Sequence, residues 1–449
     1  MTTPTPSPND GNQSPPQSNS AQTSSSATLP PSNTPARQIT LRIFLSFVAG
    51  YFMSYALRSV NATIAPLLAQ DLGLTASSLG WLSSAYFLSF ASVQWFLGTW
   101  LDKYGARRTE SILLCTAATG AVILAVSETL LGLSIGRILI GLGVASCLMA
   151  PYSYFRRCFA PEKQAQLAMW MLIGGTSGAL AATQPTLILA QWMGWREVFL
   201  LSAGLLALSA LAIAWFVPDT DLEIARADRL KTESGQNQAP MRLIELLSHP
   251  TMLRIIPTTV FFSGGFVALQ SLWVGPWLTD VLKLTTQETG QALLYFNAAL
   301  LGAYLLMSFI SPKLEKQGFN LARQTRLGFM WFVATMALVL VWRTESAWWA
   351  WLILAPGMPA VILMQTQTAL MFPKAIAGRV FTTFNLIMFT GAFAVQWGVG
   401  LLVDLFIWMG AAQDDGMWLA FAALLICQMA SLWWFLYKKL PPVSGVKHG

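Results

Sequence analysis

The chain has 449 residues, 55% of them hydrophobic and only 10% charged, with a formal net charge of +7. A soluble domain carries far more charge than this and has no use for so much apolar surface, so a water-soluble enzyme or nucleic-acid-binding module is excluded at the outset. What remains is a polytopic membrane protein. Long continuous apolar runs rule out barrel strands, which alternate, and leave helices as the spanning elements.

Residues 1–38 form a first region, rich in Ser, Pro, Thr, Asn and Gln, with one acid, Asp10, and no base before Arg37. Such a segment cannot bury a core and is expected to be a disordered tail. It lacks the basic start and apolar core of a secretory signal. Apolar stretches long enough to cross a bilayer, ~20 residues each, then follow, centred near Ser54, Phe90, Thr119, Val144, Leu180 and Leu206. A polar stretch, 219–250, holds Asp219, Asp221, Arg226, Asp228, Arg229, Lys231 and Glu233. Six more spans centre near Gly265, Leu300, Ala334, Pro359, Gly391 and Leu425. The expected architecture is an all-α membrane protein of twelve transmembrane helices in two six-helix bundles, 39–218 and 251–437, joined by the 219–250 linker and closed by a tail, 438–449.

Lys and Arg set the orientation. Lys103, Arg107, Arg108, Arg156, Arg157, Lys313, Lys316, Lys438 and Lys439 fall on the side of the termini, whereas Arg196, Lys283 and Arg343 fall on the other. The positive-inside rule makes both termini cytoplasmic, in the plasma membrane (the inner membrane of a bacterium). The excess positive charge is thus a topology signal.

Within the first span stands Arg58, in the pattern Tyr55-x-x-Arg58-x-x-Asn61-x-x-x-x-Pro66. An arginine at bilayer depth stays ionised, so it faces a cavity or a partner and marks a functional site. Tyr51, Tyr55, Arg58, Ala62 and Ala65 share one helical face. The fourth span holds a second deep cation, Arg137. All twenty acids read as loop, tail or span-end residues, with Asp404 nearest to depth. Two buried cations without buried anions describe a site waiting for an anion, which a planar guanidinium fork grips through two hydrogen bonds. Polar residues on other spans are candidates to complete the cavity: Tyr86, Tyr152 and Gln270, then Tyr295, Asn297, Gln365 and Asn385. Trp273 reads either as an interfacial anchor or as part of an outer gate.

The loop after the second span reads Gly98-Thr-Trp-Leu-Asp102-Lys103-Tyr-Gly105-Ala-Arg107-Arg108. It resembles the signature loop of the major facilitator superfamily, and Arg137-x-x-x-Gly141-x-Gly143-x-Ala145 resembles that family's fourth-span signature. The resemblance covers roughly residues 38–437. It implies a monomeric secondary transporter that works by alternating access, with Asp102 as a cytoplasmic latch. The start of the eleventh span, near Arg379, offers that acid the positive end of a helix dipole. Lys103, Gly105 and Arg107 belong to the same gate, and Arg137 and Asp404 are candidates for gating or coupling. The run Gln94-Trp95-x-x-Gly98-x-x-x-Asp102 recurs as Gln396-Trp397-x-x-Gly400-x-x-x-Asp404, as inverted repeats would produce.

The first-span pattern resembles the organophosphate:phosphate antiporter and anion:cation symporter branches, whose arginine meets an anionic substrate. Here the seventh span, Phe266-Val-Ala-Leu-Gln270-Ser-Leu-Trp273, lacks the second arginine of the phosphate-ester carriers, so a monocarboxylate or sugar acid fits better. The fifth span has Gly174-Gly175-Thr-Ser-Gly178 without the proline of family antiporters, which favours uptake by symport, with a proton or sodium as the co-transported ion. The alternatives are a carrier of neutral or cationic solutes, including drug export, with Arg58 structural, and a transport-inactive sensor. Cys115, Cys147, Cys158 and Cys427 read as small apolar residues. His249 and His448 cannot join a ligand cluster, so no metal and no cofactor is expected, nor is enzymatic activity.

Overall fold

A computed structural model of the chain describes residues 36–159, 161–224, 243–372 and 377–437. Residues 1–35 of the expected tail, most of the linker and the tail 438–449 lie outside the described residues. Those described are helical throughout, without strands. The first half contains α1 (Ala36–Leu72), α2 (Ala76–Val126), α3 (Leu130–Cys158), α4 (Pro161–Ala181), α5 (Gln184–Met193) and α6 (Trp195–Phe216). The second contains α7 (Pro250–Val281), α8 (Thr286–Lys316), α9 (Leu321–Val341), α10 (Glu345–Leu370), α11 (Ala377–Trp408) and α12 (Gln413–Tyr437).

Ten of the described helices are long and apolar enough to cross a membrane, where twelve were expected. The difference has two physical causes. α2 is 51 residues long but is bent back on itself at Gly105, whose φ of 78° breaks the helix. The Thr109 hydroxyl reaches the Trp100 carbonyl at 3.4 Å, a contact that nine residues of straight helix, about 13 Å, would forbid. The expected fifth span is likewise divided. α4 ends near Ala182, and Pro185 in the first turn of α5 restarts the helix. The Ala182 carbonyl freed at the break accepts from Thr63 of α1 at 2.7 Å. α7 winds partly as π-helix, at Thr259–Gly264, Leu269–Trp273 and Trp277–Val281.

The face bearing Ala36 and Tyr437 is here termed proximal, the opposite face distal. The two halves meet along the distal side. Gly80 of α2 and Gly400 of α11 permit this approach: a Cβ on Gly80 would stand 2.9 Å from the Gln396 carbonyl oxygen, and one on Gly400 would stand 2.6 Å from that of Ala76. Gly275 of α7 lies directly on the Ala62 carbonyl of α1. Further in, Trp81 packs edge-on against Trp397, with ring centroids 5.2 Å apart. Phe389 of α11 meets Phe90 of α2 at 4.4 Å, at mid-span.

Candidate functional site: an unpaired arginine between the halves

Arg58 projects from α1 into this mid-span seam. Its guanidinium carbon lies 4.5 Å from the Tyr55 ring, 5.6 Å from Phe90 and 5.4 Å from Phe389. Rings from both halves thus hold the cation by their negative faces. None of the ion pairs among the described residues involves Arg58, and its Nε is buried without a hydrogen-bond partner. Tyr86 is buried beside it and donates to the Ser54 carbonyl at 3.4 Å. Tyr51 and Tyr55 pack edge-to-face at 5.0 Å, and Tyr152 lies within electrostatic range of Tyr55. Tyr55, Arg58 and Tyr86 thus lie together at the seam, with Tyr152 near Tyr55.

The second half supplies polar pairs. Gln270 of α7 donates to Asn297 of α8 at 2.8 Å, and Gln365 of α10 donates to Asn385 of α11 at 3.2 Å. Gln270, Gln365 and Asn385 stay partly open, so they retain hydrogen-bonding capacity toward a solute.

Two of the expected lining residues are turned elsewhere. Asn61 is buried and occupied: its amide donates to Ser83 at 2.5 Å and its carbonyl oxygen accepts from Arg137. Arg137, 1% exposed, also donates to the Leu57 carbonyl at 3.3 Å and stacks on Phe199. It braces α1 from behind, which favours a structural role over contact with solute. Tyr295 stacks on Trp348 at 5.9 Å and is 52% exposed. Nine residues along α8, half a turn out of phase, Tyr304 comes within electrostatic range of Tyr55 instead. Sequence reading passed over Tyr304, although it shares a helical face with Asn297, seven residues before it.

The proximal end of the first half is a cluster of ion pairs. Arg157 of α3 bridges Asp102 at 2.5 Å and Asp221 at 3.9 Å, and Arg107 and Arg108 reach Asp219 at 3.4 and 3.5 Å. Lys103 lies over its neighbour Tyr104. Asp221 accepts the Ala106 backbone N–H at 2.7 Å, just past the Gly105 turn. A Cβ on Gly105 would crowd Leu222 at 3.2 Å, so only glycine suits both this φ and this space. Burial pushes the Asp221 carboxyl up, against the pull of the Ala106 N–H and Arg157. Asp102 thus pairs within its own half; the start of α11 that was expected to receive it adjoins residues 373–376, outside the described residues.

The distal end carries the reciprocal contact. Asp404, at the end of α11, accepts the backbone N–H of Ser77 at 3.0 Å. Ser77 sits in the first turn of α2, where N–H groups lack partners within the helix and the dipole favours an anion. Trp273 is buried here and donates to the Gln396 carbonyl at 3.0 Å, which makes it part of the distal closure and not a lipid anchor.

The Major Facilitator Superfamily profile matches residues 47–396. The chain belongs to this superfamily. It is a multi-pass membrane transporter and not an enzyme. Among curated relatives it is similar to a chloramphenicol resistance protein of Pseudomonas aeruginosa, 27% identical over 164 residues, 35% of this chain and 38% of that one. It is also similar to a probable sulfoacetate transporter, SauU, of Cupriavidus necator, 27% identical over 242 residues, 52% of this chain and 55% of that one. These alignments thus span between about a third and about half of the curated relatives' lengths. Among solved structures, a bacterial homolog of the human lysosomal transporter Spinster, crystallised inward-facing and unoccupied, superposes with a TM-score of 0.72 at 14% identity, covering 91% of this chain and all of that one. A D-xylose–proton symporter superposes at 0.69 and 15% identity, covering 90% and 99%. Both establish the fold.

In this superfamily member, the expectation that no carboxylate lies at depth is overturned by Glu110, which is fully buried on α2. Its position two residues after Arg108 reads as a span end. The tight turn at Gly105 brings the returning helix inside the bundle within one turn, and that turn is what buries the acid.

Proposed function

We propose that this transporter carries a small organic anion, a carboxylate or sulfonate, by alternating access, with uptake by symport. The observation that carries the reading is Arg58: a cation at mid-span, touched by aromatic rings of both halves and countered by no acid among the described residues. A bound anion would supply the missing charge and draw Tyr55, Tyr86 and the Gln365–Asn385 pair onto one solute. The name of the sulfoacetate-transporter relative agrees with an organic anion as solute. In this proposal twelve spans cross the plasma membrane and the proximal face is cytoplasmic. The distal contacts at Gly80, Gly400 and Asp404 hold the outer side shut, and the cavity opens inward. The protein acts as a monomer.

The aromatic wall and the chloramphenicol-resistance relative favour a second reading, export of an uncharged aromatic compound with Arg58 as a brace. A thermal-stability screen of the purified protein, wild type against Arg58→Gln, separates the two. A ligand at 100 times its Kd should stabilise wild type by about 2.7 kcal/mol. The anion reading requires that carboxylates or sulfonates give this shift and that Arg58→Gln abolishes it. Equal shifts of both proteins by neutral aromatics would hand the site to the second reading.

A further inference from the structure

Two carboxylates are fully buried among the described residues, Asp221 and Glu110. Asp221 has the Ala106 N–H and Arg157. Glu110 has no nitrogen or oxygen hydrogen-bond partner on either oxygen. It lies where α2 crosses α1 and α3. A Cβ on Gly50 of α1 would stand 3.1 Å from its Oε1 and 3.8 Å from the Cys147 sulfur of α3. Gly50 thus leaves the space that the carboxyl fills.

The charges on the surrounding helices point elsewhere. On α1, Arg42 lies over Phe216 and Arg58 over the central aromatic rings. On α3, Arg157 is held by Asp102 and Asp221, and Arg137 by α1. On α6, Arg196 pairs with Asp71 at the distal end, where Glu197 lies against Gly194. The titratable side chain set against Glu110 is the Cys147 thiol, a weak donor. Cys147 also lies within electrostatic range of Arg58.

An ionised carboxylate in such a place has neither solvent nor a counter-charge, and its desolvation would go uncompensated. The neutral acid avoids that cost. We propose that Glu110 is a proton-binding site, occupied in the conformation described here, and that proton release accompanies movement of α1 against α3. Resting on the transport reading above, this makes the proton the coupling ion. The O–H bond breaks, the proton passes to water entering from the proximal face, and the carboxylate is stabilised by the water that the separating helices admit. Because α1 carries both Gly50 and Arg58, two turns apart, an anion drawn to Arg58 and a proton on Glu110 act on the same helix.

The test needs no identified solute. Infrared spectra of the full-length protein in lipid report the C=O stretch of protonated carboxyls. Glu110→Gln, an isostere of the neutral acid, should lose a band that wild type shows at neutral pH. Spin labels at Lys163→Cys and Lys313→Cys, one on each half, with Cys115, Cys158 and Cys427 replaced by alanine and Cys147 kept, report opening of the proximal face. Wild type should change its distance distribution between roughly pH 5 and pH 9, the span over which buried carboxyls titrate, and Glu110→Gln should hold the acid-form distribution throughout. If the variant loses no band, Glu110 is not the protonated site. If the band is lost but both proteins respond to pH alike, the site is uncoupled from the movement and the proposal fails. Neither result touches the anion reading, which stands on Arg58.

Discussion

Asp102 and Asp404 occupy the same place in two Gln-Trp-x-x-Gly-x-x-x-Asp runs, yet they make different kinds of contact. Asp404 crosses between the halves to cap the first turn of α2 through the Ser77 N–H. Asp102 turns back to Arg157 within its own half, with 52% of its side chain exposed. The glycines differ in the same sense: Gly400 lies against Ala76 of the other half, while nothing stands within 4 Å of the equivalent Cβ position at Gly98. The repeated run thus places an acid at equivalent positions, one engaged across the halves and one within its own half; in the alternating-access cycle proposed above, the conformation decides which one crosses. A helix N-terminus and a neighbouring arginine both stabilise an acid, so the proposed latch would let Asp102 exchange one for the other at small net cost.

The largest effect should come from denying the distal close approach. In Gly400→Val the new Cβ would stand 2.6 Å from the Ala76 carbonyl oxygen, which is backbone and cannot swing aside. Overpacking of this kind costs ~1–3 kcal/mol, which reduces the distally closed population about 5-fold to 150-fold. Spin labels at Glu128→Cys and Glu345→Cys on the distal face should show the longer separation. Gly98→Val, at the equivalent but open position, should leave that distance unchanged; equal responses would dissolve the distinction between the two ends.

A middle-sized effect is expected from the acids. Asp404→Ala removes a helix-capping acceptor, worth ~1 kcal/mol, and should shift the same distal distance distribution about fivefold toward open. Asp102→Ala removes an ion pair whose acid is half-exposed, worth ~1 kcal/mol, and should leave the distal distribution as it was. Its effect should appear in the opposite conformation, as slower return in a transport assay. A distal shift from Asp102→Ala as large as that from Asp404→Ala would show that the two acids are not exclusive locks.

Much of this was legible before any coordinates. Arg58 stood out because a charge inside an apolar run has few innocent explanations, and the repeat sets Asp404 in the place of Asp102 once the two runs are laid side by side. The misreadings share a cause, which is that partners across helices cannot be seen in one strand of text. Asn61 looked like cavity because it shares a motif with Arg58, but it lies three residues on, and that turn points it at Arg137. Tyr295 and Tyr304 are separable only by phase along α8. Glu110 was hidden by the turn at Gly105, since loop length decides whether the fifth residue after a turn is solvated or buried. The π-turns of α7 have no local signature beyond Pro257, Gly264 and Gly275.

The smallest effect belongs to Asp221, which ties the proximal turn to the segment after α6 in the half where Asp102 also rests. Its carboxyl sits above the usual range because burial outweighs the Ala106 N–H and Arg157. The unfolded chain releases this proton near pH 3.9, whereas the folded protein holds it to a higher pH. Across that window the folded state binds more protons than the unfolded one, so stability is full below the unfolded value and falls as pH rises through the folded one. Asp221→Asn keeps an acceptor for the Ala106 N–H and has no proton to release. Its unfolding midpoint should therefore decline less than that of wild type as pH is raised from about 4 to 7. Parallel curves for the two proteins would mean that Arg157 fully compensates the buried charge. The proximal cluster would then be a fixed ion-pair network, and Asp102 would have no cheap exchange of partners to make.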